Sequence, residues 1–242
     1  MTSYEIQGQT VRLPVVVRKA KAGVAFFDVD HAAAQAFLPG DAFEVVESAP
    51  GTAQLLIALI DYEDNDLGDY LEVGLTLFVR PVGGPADGSA DGTFIVHLPV
   101  DQAFTREAGE TIWGFPKTVQ EITADHGDTS STWTLTMDGQ HVLTVTVPRG
   151  GTDEMPDLPI QTYSYKDGVA HTTPFSQGGS GSSIGFGEGV ELTLGDHPIA
   201  KELAAMGLPK PASMSTWTEE MHGIFGPAQP LSPREPVDVF GA

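Results

Sequence analysis

Lys117 stands at the end of Glu110-Thr111-Ile112-Trp113-Gly114-Phe115-Pro116-Lys117, an apolar and conformationally stiff run. Trp113 and Phe115 supply large rings, Gly114 permits an unusual backbone turn, and Pro116 fixes its own φ and biases Phe115 toward extended backbone. A lysine held among rings is costly to charge, so the setting predicts a Lys117 pKa lowered toward neutrality. A neutral amine attacks a carbonyl and forms a Schiff base. The resulting iminium can accept the electron pair left when a neighbouring carbon–carbon bond breaks. The competing reading is a loop lysine that snorkels to water with its stem on Trp113 or Phe115.

A carboxylate and a guanidinium are the other candidates. Tyr70 to Arg80 alternates with period two, placing Leu71, Val73, Leu75, Leu77 and Val79 on one face and Glu72, Gly74, Thr76 and Phe78 on the other. Glu72 therefore projects from a face of small and aromatic residues, which in a closed barrel lines a cavity. There it would orient substrate or relay a proton; on an open sheet it would be a solvated strand residue. Arg18 could grip a substrate carboxylate through a two-point hydrogen bond, or belong with Lys19 and Lys21 on a solvated turn. Arg106 reads as a helix-surface residue paired with Asp101 or Glu110.

Glu110 to Lys117 resembles the lysine motif of the acetoacetate decarboxylase family, a glutamate-rich lead followed by Trp-Gly-aromatic-Pro-Lys. Leu67-Gly68-Asp69-Tyr70-Leu71-Glu72-Val73 resembles the family's Gly-x-Tyr-x-Glu strand entry, and Arg18, ahead of the strand with Phe26 and Phe27, sits where the family carries an active-site arginine. The similarity runs from about Pro14 to the C-terminus. It implies a β-dominated α+β fold: an antiparallel, cone-like β-barrel with a few short peripheral helices and a central pocket. It further implies a Schiff-base lyase that decarboxylates a β-keto acid, with Lys117 as nucleophile, Glu72 as orienting or proton-transfer group and Arg18 as carboxylate binder. Tyr70, Trp113 and Phe115 would contact the substrate. No metal or organic cofactor is called for, because the lysine is itself the electron sink, and the expected assembly is a homo-oligomer.

One departure bears on the chemistry. The family's decarboxylase carries a second lysine directly after the catalytic one, and here that position is Thr118. Desolvation by Trp113, Phe115 and the other walls must then lower the Lys117 pKa unless Arg18 or Arg106 comes close. The departure keeps two alternatives open: an aldolase-dehydratase acting on keto acids through the same iminium, and a non-catalytic pocket that binds a small carbonyl compound.

Other constellations carry less. Asp61, Glu63, Asn65 and Glu72 fall at EF-hand ligand offsets, but the glycine that loop requires is Asp66 and the flanks read as strands. Seven histidines show no zinc spacing. The glycines of Gly178 to Gly189 form no dinucleotide fingerprint between strand and helix, and no serine has a nucleophile-elbow context.

The elements that must position these groups follow from pattern and punctuation. Strands are predicted over Val11–Val17, Ala22–Val29, Phe43–Glu47, Gln54–Tyr62, Tyr70–Arg80, Thr93–Pro99, Val119–Ala124 and Ile184–Leu194. Asp61–Asp69 reads as an acidic loop, and Leu55 to Ile60 is apolar enough for both strand faces to be buried. Hairpins are predicted around Asp138-Gly139-Gln140 and Lys166-Asp167-Gly168. Helices are predicted from His31 to Leu38 capped by Asp30, from Asp101 to Ala108 ended by Gly109, and from Asp196-His197-Pro198 to Gly207. Gln177 to Ser183 reads as a mobile Gly/Ser segment, and the apolar tail beyond Pro209 as packed on the body or a neighbour.

The 242 residues are read as one domain, 1–242, because no composition break or polar linker divides them. With 12 Lys+Arg against 33 Asp+Glu, the net charge of −21 disfavours nucleic acid and anionic membranes as partners. There is no cysteine, hence no disulfide framework or thiolate chemistry. Met1 to Val11 lacks the basic start and apolar run of a signal peptide, and no stretch reaches transmembrane length, so the expected location is cytoplasmic. The expected ligand is a small-molecule keto acid.

Overall fold

A computed structural model describes residues 2–231. In chain order the elements are β1 (Ser3–Ile6), β2 (Gln9–Arg12), β3 (Val15–Asp30), α1 (His31–Phe37), β4 (Phe43–Val45), β5 (Thr52–Asn65), β6 (Tyr70–Pro81), β7 (Gly92–Val100), α2 (Ala103–Trp113), β8 (Lys117–Val119), β9 (Glu121–His126), β10 (Ser130–Met137), β11 (Gln140–Pro148), β12 (Asp153–Lys166), β13 (Val169–Gly185), β14 (Glu191–Leu194), α3 (Pro198–Ala205), β15 (Met214–Phe225) and β16 (Gln229–Pro230). Strands dominate and the three helices are short, as expected.

Seven strands close a barrel in the order β6-β5-β3-β15-β13-β12-β7, with β7 returning to β6. Its seams are antiparallel except β7–β12, which is parallel. A second sheet, β14-β11-β10-β9, packs outside the barrel. Period-two alternation sorts the strands between these layers. On β5 and β6, Leu55, Ile57, Leu59, Val73, Leu75 and Leu77 are fully buried in a core shared with Trp133, Leu135 and Val145 of the second sheet. The alternate residues face the barrel interior, so β5 has both faces covered, as its apolar run implied.

Local chemistry explains most boundaries. Asp30 caps α1 by accepting from the Ala33 N–H at 2.8 Å. The hairpin turns fall at Asp138-Gly139 and Asp167-Gly168, all four residues at positive φ. α3 begins at Pro198 after His197, whose side chain accepts from the Ile199 N–H.

Several expectations need correction; the predicted strand Val119–Ala124, for one, is broken at Gln120 between β8 and β9. The stretch Val11–Val17 is divided at Leu13-Pro14. Gln177–Ser183 lies inside β13, where glycine serves close packing: a Cβ on Gly179 would sit 2.6 Å from the Glu220 carbonyl oxygen. The segment Ile184–Leu194 is likewise interrupted between β13 and β14. Most of the supposed acidic loop is the end of β5, whose acids lie beside the basic residues of β3: Arg18 pairs with Asp64 and Asp66, and Lys19 and Lys21 with Glu63. Finally, α2 starts at the Gln102 cap and runs past Gly109 to Gly114, because Gly109 is needed for space and Gly114 supplies the left-handed exit, φ +70°. Asp101 instead accepts from the Leu71 N–H at 2.9 Å.

Beyond Pro209 the chain forms β15, a barrel strand, and β16; residues 232–242 of the expected packed tail lie outside the described residues. No helix among the described residues is long and apolar enough to cross a membrane.

Candidate active site

The barrel encloses a cavity of about 190 Å³. Strand register sets its walls in rows. Tyr62 of β5 lies opposite Tyr70 of β6; the next row is Ala22, Ile60 and Glu72; then Val24, Ala58 and Gly74; then Leu56, Thr76 and Ile95. Lys117 enters at the Glu72 end from β8, which pairs in parallel with the end of β7, Lys117 beside Leu98.

The helix exit aims this lysine. The N–H groups of Gly114 and Phe115 reach back to the carbonyls of Glu110 and Gly109, at 3.0 and 3.1 Å. Trp113 donates its indole N–H to the Gly226 carbonyl at 2.8 Å, its own carbonyl accepts from Ser164 at 2.6 Å, and its ring stacks on Phe115 at 5.6 Å. A Cβ on Gly114 would lie 2.5 Å from the Tyr165 carbonyl oxygen, so close approach as well as positive φ requires glycine. At Gly109 a Cβ would lie 2.6 Å from Cδ of Lys117 and 2.9 Å from Cε: the missing side chain is the channel for the lysine stem.

Lys117 is 3 % exposed and Glu72 6 %. Nζ lies 2.8 Å from Oε2 of Glu72 and donates to Thr105 Oγ1 at 3.0 Å and the Tyr70 hydroxyl at 3.3 Å. Tyr62 donates to Oε1 of Glu72 at 3.2 Å, and its ring stacks on Tyr70 at 4.3 Å. Burial pushes both phenols up, keeping them protonated.

The Lys117 pKa runs opposite to the expectation. Burial is the largest single influence and pushes it down, but Glu72 and Tyr70 together push it up by more, and the net direction is upward. At neutral pH the amine is an ammonium held by its counter-ion.

Of the sequence candidates, Lys117, Glu72, Tyr70, Trp113 and Phe115 all line one cavity. Arg18 does not. Its side chain is 47 % exposed and bonded at 2.7 Å to each of Asp64 and Asp66, which hold it charged well above the ordinary arginine range. The reason is register: β3 bulges between Val17 and Ala20, and Arg18 faces solvent beside the acidic end of β5. Arg106 pairs with Glu110 at 3.3 Å on the helix surface, as expected. Among the described residues lining the cavity, Lys117 is the only cation and Glu72 the only carboxylate.

Thr105, Gly109 and Tyr62 escaped sequence reasoning. Thr105 and Gly109, four residues apart, share the buried stripe of α2 with Ala108 and Ile112, a helical periodicity visible once Gly109 is not taken as a terminator. Tyr62 sits directly across from Tyr70, but only strand pairing reveals that.

A Ser-His-Asp alignment also occurs: the His126 ring nitrogens lie 2.9 Å from Ser131 Oγ and 3.1 Å from Asp61 Oδ2. Ser131 is fully buried and its Oγ accepts from the Trp133 indole at 2.7 Å. It pins the second sheet to β5 and offers no accessible nucleophile. No group of three or more metal-ligating side chains occurs among the described residues.

The family model for acetoacetate decarboxylase matches residues 2–223. No curated protein matches the chain by sequence. Among solved structures, the chain is similar to the acetoacetate decarboxylase of Legionella pneumophila, with 18% identity and TM-score 0.67 over 90% of this chain and 87% of that one. It is similar also to the enduracididine biosynthesis enzyme MppR complexed with pyruvate, with 17% identity and TM-score 0.65 over 93% of each chain. A third is an acetoacetate decarboxylase-like enzyme from Sphingomonas wittichii RW1, with 15% identity and TM-score 0.58 over 93% of this chain and 96% of that one. At these identities the likeness establishes the fold. With the family model covering nearly the whole sequence, the chain belongs to the acetoacetate decarboxylase family.

Proposed function

We propose that this protein is a carbon–carbon lyase that captures its substrate's carbonyl on Lys117 as a Schiff base. The observation that carries the reading is the buried Lys117–Glu72 pair, 2.8 Å apart, facing into the barrel cavity. Glu72 takes the ammonium proton as the amine attacks, then returns it to the carbinolamine oxygen, which leaves as water. The iminium next accepts the electron pair of the breaking bond and becomes an enamine. Protonation of the enamine carbon and hydrolysis release the ketone and restore the pair.

Decarboxylation of a β-keto acid and aldol-type bond exchange share these steps and differ in what leaves, CO₂ or an aldehyde. The second reading is favoured by the position of Arg18, which pairs with Asp64 and Asp66 rather than facing the cavity. Thr118, exposed where the family's decarboxylase has a second lysine, adds no cation either. In retro-aldol cleavage Glu72 as carboxylate would accept the β-hydroxyl proton while the Cα–Cβ pair moves into the iminium.

The test is borohydride reduction with acetone or a keto acid. A stable mass increase on Lys117 is expected, and an unmodified Lys117 with every carbonyl tried would sink the reading. CO₂ release from β-keto acids, set beside aldehyde release from β-hydroxy ketones, then separates decarboxylation from aldol-type cleavage.

Gly109→Ala provides a positional check. The added methyl competes with the Lys117 stem for the same space, and a shift of about 1 Å at a reacting atom costs on the order of 100-fold in rate. Ketone fixation should slow by that factor while α2 keeps its helical circular dichroism. An unchanged fixation rate would show that the stem need not run past Gly109.

A further inference from the structure

Resting on the Schiff-base reading in its aldol-type form, we propose that the natural substrate is an uncharged β-hydroxy ketone carrying a hydrocarbon chain, bound with its carbonyl at Lys117 and its chain along the barrel axis. Charge in the cavity is confined to one end, and there it is already balanced: Glu72 is the counter-ion of Lys117. A ligand carboxylate would have to shed its hydration shell among hydrocarbon walls, at a cost that only a matched cation offsets. Along the rows leading from the charged end, the walls are Val24 with Ala58, then Leu56 with Ile95, and Ile160 and Phe175 add further apolar lining. The polar groups among these rows are uncharged, and Thr93 and Thr162 satisfy one another at 2.8 Å.

The distance available suits a chain rather than a compact head group. From the Glu72 row to the Thr76 row is four residues of strand, about 13 Å at ~3.3 Å per residue. Small residues keep the middle of this path open: Gly74 lies beside Ala58, and an added Cβ on Gly74 would already be 3.4 Å from Leu98 Cδ1 and 3.5 Å from the Ala58 methyl. A large side chain in this row would close the path, so Ala58 and Gly74 are assigned as the residues that set chain length.

The experiment is borohydride fixation on Lys117 with methyl ketones bearing ethyl, butyl and hexyl chains, beside keto acids of equal carbon count. Isothermal calorimetry on the same ligands runs without borohydride. Half-saturating concentration is expected to fall about fourfold per added methylene, the gain for burying one CH₂. The keto acids should need at least about tenfold more ligand than ketones of the same length, one cation-free desolvation being worth at least that factor. A flat ketone series, or acids that saturate at equal or lower concentration, overturns the inference and leaves the Schiff-base reading standing. Tighter calorimetric binding of the longer ketones with no adduct on Lys117 overturns the Schiff-base reading and keeps the ligand class. Absence of both removes both. Ala58→Leu should shift the preferred ketone toward shorter chains, and an unshifted preference would overturn the assignment of that row.

Discussion

Lys117→Met removes ketone fixation altogether and lowers turnover by a factor on the order of 10⁵ or more, as expected when a covalent nucleophile is lost. The checks are intact-mass analysis after borohydride treatment with the best ketone of the series and a steady-state assay of aldehyde release from a β-hydroxy ketone. Met matches the stem in length and apolarity, so the channel past Gly109 stays filled. What changes besides chemistry is charge. Oε2 of Glu72 is buried with no hydrogen-bond partner apart from the Lys117 ion pair, and the variant strands it. Breaking a buried pair from one side costs about 3–5 kcal/mol, so a clear drop in denaturation midpoint should accompany the loss of activity.

That coupling has a definite pH sense. Glu72 raises the Lys117 pKa above the ordinary lysine value, so the pair's contribution to stability is fully present below that ordinary value and is lost as pH rises through the raised one. At neutral pH the whole of it is in play. The double variant Lys117→Met, Glu72→Gln should recover stability, because neither partner is then charged, and should recover no fixation. A double variant that remained as unstable as the single one would show that the drop came from packing rather than from the stranded carboxylate.

The walls of this site were more legible in the sequence than its electrostatics. Alternation on Tyr70–Arg80 assigned Glu72 to the face opposite Leu71, Val73 and Leu75, and closure of the barrel turned that face inward. The rings of Trp113 and Phe115 and the turn at Gly114 were local features, carried by residues adjacent in the chain, and they fall where expected. Arg18 depended on a different kind of information. Its direction is decided by a bulge in β3 and by acids 46 and 48 residues away, and no local pattern encodes a bulge. The Lys117 pKa failed for a related reason: its apolar neighbours lie in the same short run, whereas the carboxylate that reverses their effect comes from β6. Gly109 shows how one residue type can mislead. A glycine near a helix end reads as a terminator, and here it is a clearance for a side chain eight residues further along.

Glu72→Gln should move two observables in opposite directions. The amide keeps the shape of the carboxylate and can still meet Tyr62 and Lys117, but it neither takes the ammonium proton nor returns one to the carbinolamine oxygen. Removal of a positioned acid–base group costs about 10²–10⁴-fold, and ketone fixation with subsequent turnover should slow within that range. At the same time the only carboxylate among the described lining residues is gone, and burial, the largest influence on Lys117, is opposed by Tyr70 without Glu72, so the pKa should fall. Modification of Lys117 by a small acylating reagent at neutral pH, followed by peptide mass mapping, should therefore become faster than in the unaltered protein, where Glu72 keeps the amine charged until the solution is more alkaline than ordinary lysines require. A purely structural Glu72 gives another pattern: lower stability with fixation per folded molecule unchanged. Slower fixation with slower acylation would mean that the variant had closed the cavity. Faster acylation with slower fixation assigns Glu72 both tasks, holding the amine as an ammonium before a carbonyl arrives and moving its proton once one does.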